Sequence, residues 1–494
     1  MPSATPEQQA AILGWLDQQR PAMTDLLEKL VNIDSGSYNK AGVDAVGRAI
    51  EEWFEAEGIA TDRVPNGEFG DCIRAHVSGG EGNRPIILMG HRDTVFPDGE
   101  AGRRPFTVQG DIAYGPGVAD MKAGLVMNAF VLAAFKRFGG APYPLTGLYT
   151  SDEEIASPSS RPVIENEARN ARVVFNAEPG RESGNAVIGR KGASFFKFRI
   201  AGVPAHSGGQ HEKGISAIGE LAAKITELHK LTDYEVGTTV NVGLVSGGNA
   251  VNMVAPHAEA EVDVRFKTME ARDAAWQRIT EILETAYVPG TSTEIVESRG
   301  FLPLTQSPES KEIFDVYTKA GADVGLTIGG EFTGGSADSG FTAQVGAPTV
   351  CGTGPAADRA GAAHAGGVHA ARHHGAARQD RRPRHHAARR LKTEARVTGP
   401  SLARAGHCSA LQAAMTSAPT VFQVGMPPTI RTCTRPSVSS SIVSPCLTAS
   451  LAWAMAPFFS PARVSSSAKI SSLVLRSSAP PFSGARITKS RIRP

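Results

Sequence analysis

A set of imidazole and carboxylate side chains in the first half of the chain has the chemistry to bind two metal ions. His91 and Asp93 lie in the motif GHRDTVFPDG, and Asp120 lies in GPGVADMKAG. Glu153 and Glu154 lie in TSDEEIASPSSR, and Glu178 lies in FNAEPG. Zinc binds imidazole nitrogen and carboxylate oxygen, and a catalytic zinc site keeps one position for water. Two metal ions roughly 3.5–4 Å apart can act together on a hydroxide and a carbonyl. These residue types therefore indicate a two-zinc hydrolase.

Short apolar runs precede three of the motifs and are typical of buried parallel strands. IILMG precedes His91, YPLTGLYT precedes Asp152, and ARVVFNA precedes Glu178. In open α/β sheets, ligand sites lie beyond the carboxyl ends of the strands. We therefore expect the three strands to bring their polar residues to one crevice. No cysteine lies near these motifs, which argues against a structural thiolate site.

The four motifs together resemble the zinc-dependent aminoacylase/carboxypeptidase family, especially its glutamate carboxypeptidase branch, over about residues 8–355. The resemblance implies an α/β catalytic domain that holds two zinc ions per subunit. His91, Asp120 and Glu178 would bind the first zinc. Asp120 would bridge to the second zinc, which Glu154 would also bind.

Two further roles follow from the same resemblance. Glu153 would be the general base that takes a proton from the attacking water. Asp93 would hold His91 in the orientation that binds metal, since a metal-bound imidazole usually needs such a partner. Taken alone, Glu153 would be interpreted as a solvated carboxylate at the start of a helix.

Residues 187–297 are predicted to form an inserted α+β domain. Their strand and helix patterns follow the order β-α-β-β-α-β, which is typical of the ferredoxin-like fold. The catalytic domain would then comprise residues 1–186 and 298–355. In the resembling family the insertion is a lid or dimerisation domain, which implies a homodimer.

Three residues of this insertion are candidates for contact with substrate. The resemblance suggests that His206, in AHSG, stabilises an oxyanion, often in the active site of the partner subunit. Asn252, in GGNAVNMV, and Arg265, in DVRF, are candidates for binding a substrate carboxylate. For each of the three, a structural role at the end or edge of a strand is the alternative.

The composition of the chain changes abruptly after Pro355. Residues 1–355 contain 31 Lys and Arg against 46 Asp and Glu, whereas residues 356–494 contain 20 Lys and Arg against three acidic residues. The net charge of +2 thus hides two halves of opposite charge. Because the tail shows no sustained periodicity, we predict that 356–494 is an aberrant, basic and disordered segment.

A reading-frame shift explains this break best. The family has a further zinc-binding histidine after a Gly-Pro loop, and GGSADSGFTAQVGAPTVCGTGP matches that region only as far as Pro355. Read one nucleotide later from Ala363, the degenerate codons permit His-Thr-Pro-Glu-Glu-Tyr-Met, which resembles the missing motif. The codons of Leu391 and Lys392 permit a stop in that frame. The histidine would then be encoded out of frame, and His364 would be an ordinary loop residue.

Other features restrict the location and partners of the protein. We find no apolar run long enough to predict a transmembrane helix. The start of the chain is acidic and helical and has no feature of a signal peptide, so a cytoplasmic enzyme is expected. Only Cys72 and Cys351 lie before the break, which gives no case for disulfides. The tail has few lysines and no nucleic-acid-binding module, so binding to nucleic acid is not expected.

Three functions remain open from the sequence. The first is a zinc metallopeptidase that hydrolyses the amide bond to a C-terminal, glutamate-like amino acid in small N-acyl amino acids or peptides. The second is an N-acyl-amino-acid deacylase or dipeptidase with the same site and a different pocket. The third is an inactive product of the shifted frame that keeps only binding or dimerisation.

Overall fold

The structure, a computed structural model, describes residues 5–80, 82–109, 112–323, 325–355 and 396–397. Its helices are α1 Pro6–Gln18, α2 Arg20–Val31, α3 Lys40–Ala56, α4 Glu100–Arg103, α5 Ala123–Arg137, α6 Arg161–Arg169, α7 Ala217–His229, α8 Met269–Glu284, α9 Pro308–Asp323 and α10 Ser339–Gln344. The first seven strands are β1 Ala60–Val64, β2 Cys72–Val77, β3 Ile86–His91, β4 Thr107–Gln109, β5 Ile112–Tyr114, β6 Leu145–Thr150 and β7 Val173–Asn176. The others are β8 Ala186–Arg190, β9 Gly192–Ala201, β10 Thr239–Gly247, β11 His257–Phe266, β12 Ser292–Phe301, β13 Gly330–Thr333, β14 Thr349–Cys351 and β15 Arg396–Val397.

Eight strands form the main sheet, in the order β1-β2-β6-β3-β7-β14-β8-β13. Its centre is parallel, because β3 pairs with both β6 and β7 in parallel register, and β7 pairs with β14 in the same way. All residues of β3, β6 and β7 are buried. Alternate residues of β3 belong to different hydrophobic clusters on the two faces of the sheet. This buried parallel arrangement is what the apolar runs predict.

Helix α5 carries the longest apolar stretch among the described residues. Together with the preceding turn it spans Val118–Arg137, which by length and composition could cross a membrane. The sequence was not expected to contain an apolar run long enough to cross a membrane. However, 94% of its most apolar window is buried inside the protein. The helix packs against α1, α2 and the main sheet, so it is a core helix.

The inserted unit has the predicted order β9-α7-β10-β11-α8-β12. Its four strands are antiparallel and lie in the order β10-β11-β9-β12. In β11 every second residue is buried, as expected for a sheet covered on one face. These residues and the apolar faces of α7 and α8 form a separate hydrophobic core. The ferredoxin-like arrangement is therefore confirmed.

A buried lysine of α7 joins the two helices of this unit. Lys224 and Glu220 are fully buried, and Lys224 Nζ lies 2.8 Å from Glu220 Oε1. The same ammonium group donates to the carbonyl oxygens of Ile282, Leu283 and Thr285 at the end of α8. Lys224 thus satisfies carbonyl groups that the end of the helix leaves without intrahelical partners.

Replacing Lys224 by methionine is expected to destabilise the inserted unit by about 3–5 kcal/mol, because Glu220 would remain buried without its counter-charge. Hydrogen exchange of the α7 and α8 amides would report this as faster opening of the unit. Lys230→Met is the matched control, since Lys230 is 63% exposed in its pair with Glu227. The control should change stability by only ~0.3–0.5 kcal/mol. Equal, small effects of the two substitutions would contradict the prediction.

The helical start of the chain consists of two helices, α1 and α2, with Pro21 in the first turn of α2. Proline cannot donate within a helix and is favoured in the first turn, so it marks the second start. The predicted disordered tail lies outside the described residues, except that Arg396–Val397 pairs with β5 as a short antiparallel strand.

Candidate metal centre

The carboxyl ends of three neighbouring strands bring the candidate ligands together. His91 is the last residue of β3. Glu153 and Glu154 begin a short helical turn after β6, and Glu178 follows β7 by two residues. Since β6, β3 and β7 are adjacent in the sheet, their ends share one edge. Asp120 reaches this edge from the turn Val118–Lys122 that precedes α5.

The imidazole of His91 lies at the centre of the cluster and is 1% exposed. Its Nε2 is 3.2 Å from Asp120 Oδ1, 3.6 Å from Glu178 Oε1 and 3.9 Å from Glu153 Oε2. On the other side of the ring, Nδ1 lies 3.0 Å from the carbonyl oxygen of Asp93 and 3.2 Å from its Oδ1. Burial alone would lower the pKa of His91, but the surrounding carboxylates raise it well above its ordinary value.

Asp93 is fully buried and links His91 to the turn that carries the two glutamates. Its carboxylate accepts hydrogen bonds from Ser37 Oγ at 2.6 Å and from the backbone N–H groups of Glu153 and Glu154 at 3.1 Å. Burial acts to raise the pKa of Asp93, but the hydrogen bonds and the nearby imidazole outweigh it and lower the pKa. Asp93 therefore stays an anionic acceptor at the hub of the site.

The other buried carboxyl groups behave differently. Burial and mutual repulsion raise the pKa of Glu153 and of Glu154 well above the ordinary value, and they raise the pKa of Glu178 as well. Glu178 Oε1 is buried and has no hydrogen-bond partner among the described residues. Such a concentration of buried negative charge is stabilised by a bound cation.

Two overlapping groups of ligand atoms are close enough to hold a metal ion. One comprises His91, Glu153 and Glu178, and the other comprises His91, Asp120 and Glu154, with the atoms of each group within 4.8 Å of one another. This grouping differs from the expected one, in which Asp120 joins Glu178 and Glu153 is not a ligand. The donor atoms are nitrogen and oxygen without sulfur, a set that fits zinc.

The chain is similar in sequence to known peptidases. The sequence profile of the peptidase dimerisation domain matches residues 188–291. Carboxypeptidase G2 from Pseudomonas sp. (strain RS-16) is 30% identical over 340 residues, which cover 67% of this chain and 81% of that protein. The chain belongs to the M20 aminoacylase/carboxypeptidase family.

Further similarities concern the same family and its fold. Acetylornithine deacetylase from Proteus mirabilis (strain HI4320) is 29% identical over 266 residues, which cover 50% of this chain and 67% of that protein. The crystal structure of a tripeptidase from Staphylococcus aureus superposes with a TM-score of 0.59 at 20% identity, covering 78% of this chain and 96% of that chain. The M20 family consists of amide-bond hydrolases, so the predicted enzyme class is confirmed.

The three substrate candidates of the M20 insertion do not belong to the two groups of ligand atoms. His206 is exposed, and its Nδ1 accepts from the backbone N–H groups of Gly208 and Gly209 at 3.2 and 3.1 Å. Since Nδ1 is an acceptor, the neutral ring carries its proton on Nε2. Asn252 lies in the exposed loop between β10 and β11.

Arg265 is more restricted than the sequence suggested. Its Nε and Nη2 donate to the two carboxylate oxygens of Asp263 at 2.7 and 3.0 Å, and its Nη1 donates to Ser336 Oγ at 3.2 Å. The guanidinium also lies over the ring of Phe195. Asp263 thus occupies the Nε and Nη2 edge of the guanidinium, and Ser336 occupies Nη1.

Two buried residues beside the cluster escaped the sequence analysis. Arg190, at the end of β8, donates to Glu178 Oε2 at 3.4 Å. Asp338 is 2% exposed and accepts from Ser157 and Thr150, which flank the turn of the two glutamates. Burial raises the pKa of Asp338 to about 7. In the sequence, Arg190 could have been recognised as a candidate site residue because it directly follows the short apolar run AVIG.

Proposed function

We propose that this protein is a zinc-dependent amide hydrolase that releases a C-terminal amino acid, as a glutamate carboxypeptidase does. The observation that carries the proposal is the buried imidazole of His91, whose Nε2 faces carboxylates from three separate chain segments. The similarity to Carboxypeptidase G2 supports the type of reaction. Small N-acyl amino acids or peptides are the proposed substrates.

The proposed zinc ligands are His91, Asp120, Glu154 and Glu178. Asp120 is the proposed bridge, because a carboxylate has two oxygens that can each bind a metal ion, and its Oδ1 lies 3.2 Å from His91 Nε2. Bound zinc polarises the scissile carbonyl and lowers the pKa of water. Asp93 holds the imidazole of His91. It also fixes the turn of Glu153 and Glu154 by accepting hydrogen bonds from the backbone N–H groups of both residues.

Glu153 is the proposed general base. The residue is 7% exposed, and burial together with the charge of Glu178 raises its pKa, so it holds a proton more readily than an ordinary carboxylate. It would accept a proton from the attacking water and deliver it to the leaving amine nitrogen. Asp93 fixes its position by accepting from its backbone N–H.

His206 is proposed to donate from Nε2 to the carbonyl oxygen on which negative charge develops. The backbone N–H groups of Gly208 and Gly209 hold the ring in the tautomer that leaves this donor free. Because His206 is exposed in the single chain, the site that it serves is proposed to belong to the partner subunit. The match to a dimerisation domain supports a homodimer.

The preference for a leaving amino acid depends on which side chains bind its carboxylate. Asn252 remains a candidate for binding its carboxylate, whereas Arg265 would first have to leave Asp263. This pairing, together with the similarity to acetylornithine deacetylase, favours an N-acyl-amino-acid deacylase or dipeptidase as the second candidate. A panel that contains N-acyl glutamate, N-acyl ornithine and unmodified dipeptides separates the two candidates.

We further propose that the second zinc site is impaired. The described residues supply a single imidazole, His91, to both groups of ligand atoms. The histidine expected after Pro355 is proposed to be encoded out of frame, and His364 lies outside the described residues. The described residues therefore lack one neutral nitrogen ligand for the second site.

Metal analysis of the purified chain is expected to give fewer than two tightly bound zinc ions per subunit. Glu154→Gln should leave the tightly bound zinc largely in place, whereas Glu178→Gln should remove it, because Glu178 belongs to the site that has its full set of ligands. Zinc content after dialysis against a weak chelator measures both effects. Two tightly held zinc ions that survive His364→Ala would overturn the proposed impairment, and no tightly held zinc would overturn the metal centre.

A further inference from the structure

Arg190 connects the candidate metal centre to the segment 335–338, to which the proposed function assigns no role. The residue is 5% exposed. Its Nη2 donates to Glu178 Oε2, and its Nη1 donates to the carbonyl oxygens of Gly335 and Ser336, each at 3.4 Å. Its Nε lies 3.2 Å from Cys351 Sγ. One guanidinium group thus contacts three separate chain segments.

The backbone of Arg190 is held firmly. Its N–H donates to the carbonyl oxygen of Leu304 at 3.1 Å, and the N–H of Leu304 donates back at 3.2 Å. Arg190 also pairs with Thr333 where β8 and β13 run in parallel. A side chain that projects from a fixed strand can position its partners more accurately than one on a free loop.

The first consequence concerns Glu178. Arg190 engages its Oε2, while its Oε1 is buried and has no hydrogen-bond partner among the described residues. Oε1 is also the oxygen that lies 3.6 Å from His91 Nε2. The ion pair therefore decides which carboxylate oxygen faces the imidazole.

The second consequence concerns the segment 335–338. Ser336 Oγ donates to the carbonyl oxygen of Lys191 at 2.8 Å and accepts from Arg265 of the inserted unit. Two residues later, Asp338 accepts from Ser157, which follows the turn of Glu153. The segment held by Arg190 is thus tied to the inserted unit and to the turn that carries the proposed base.

We infer that Arg190 is a positioning residue with two linked tasks. It holds Glu178 so that Oε1 alone is presented to the metal, and it fixes the segment 335–338 against the same carboxylate. The inference rests on the proposed function, because it requires Glu178 to be a metal ligand. It assigns Arg190 no contact with substrate or with the reacting atoms.

Titration of the full chain with Co²⁺ tests the inference without any need for activity. Arg190→Met is expected to weaken the tight cobalt affinity by about 10–100-fold, as the loss of a group that orients a metal ligand does. Glu178 could then turn both oxygens toward the metal, so the visible absorption bands of the cobalt protein should change. Arg190→Lys should weaken affinity less but still alter the bands, because lysine lacks the planar geometry that bridges Glu178 and the two carbonyls.

Arg172→Met is the matched control, since Arg172 is a half-buried arginine whose guanidinium lies over the ring of Tyr143, away from the candidate ligands. This variant should bind cobalt with the wild-type affinity and show the wild-type absorption bands. If Arg190→Met does not fold, Arg190→Lys decides. Wild-type affinity and bands in the folded Arg190 variant would overturn the inference alone. A wild-type chain that binds no cobalt tightly would overturn the proposed metal centre, and this inference with it.

Discussion

Restoring the alternative reading frame after Pro355 is expected to raise amide hydrolysis by orders of magnitude over the chain as it stands. The restored segment would contain His-Thr-Pro-Glu-Glu-Tyr in place of the basic tail. Its histidine would add a neutral nitrogen ligand beside Asp120 and Glu154, where His91 is the one imidazole among the described residues. Metal activation of water and of the carbonyl contributes several kcal/mol to such reactions, so completing the site has a large effect.

The comparison requires both versions to be expressed, loaded with zinc and assayed on one panel of N-acyl amino acids. The matched control is the restored chain with its new histidine replaced by alanine, which should return to the low activity. His364→Ala in the original chain tests whether that residue already acts as a substitute ligand. Equal activity of the two versions would show that the break is misplaced or that the tail supplies the ligand. Sequencing of the coding DNA around residues 355–365 settles the frame independently.

The strand ends could be predicted because local sequence determines them. An apolar run followed by a polar residue is sufficient to place His91 and Glu178 at one edge of a parallel sheet. The order β-α-β-β-α-β of the insertion was equally visible, because its alternation and helical periodicity are both regular. In each case the signal lies within about ten neighbouring residues.

Contacts between distant segments could not be predicted in the same way. Arg265 was a candidate for binding a substrate carboxylate, but besides its pairing with Asp263 on the same strand it donates to Ser336, which is 71 positions away. The contacts of Arg190 join residues that are 12, 145 and 161 positions apart. No periodic pattern records such contacts, because they depend on how the strands are ordered in the sheet.

Replacing Glu153 by glutamine is expected to lower the rate of hydrolysis by about 10²–10⁴-fold, the contribution that a positioned general base usually makes. The substitution keeps the volume and the backbone N–H that Asp93 accepts, so the turn should remain in place. The rate is to be measured in whichever reading frame gives measurable hydrolysis. Metal content must be measured on the same samples, because its loss would lower the rate for a different reason.

Glu154→Gln is the matched control, because Glu154 is the next residue on the same turn and has the opposite assignment. As a proposed ligand of the second metal, it should lower metal content in the chain that binds two ions, whereas Glu153→Gln should not. Glu153 could itself be a metal ligand by geometry. Its Oε2 lies 3.9 Å from His91 Nε2, and with His91 and Glu178 it forms one of the two groups that could hold a metal ion. The two substitutions therefore test the assignment directly. If Glu153→Gln removes metal and Glu154→Gln removes only activity, the two adjacent carboxylates exchange roles. The base would then be Glu154, whose backbone N–H donates to the same Asp93 carboxylate at the same distance.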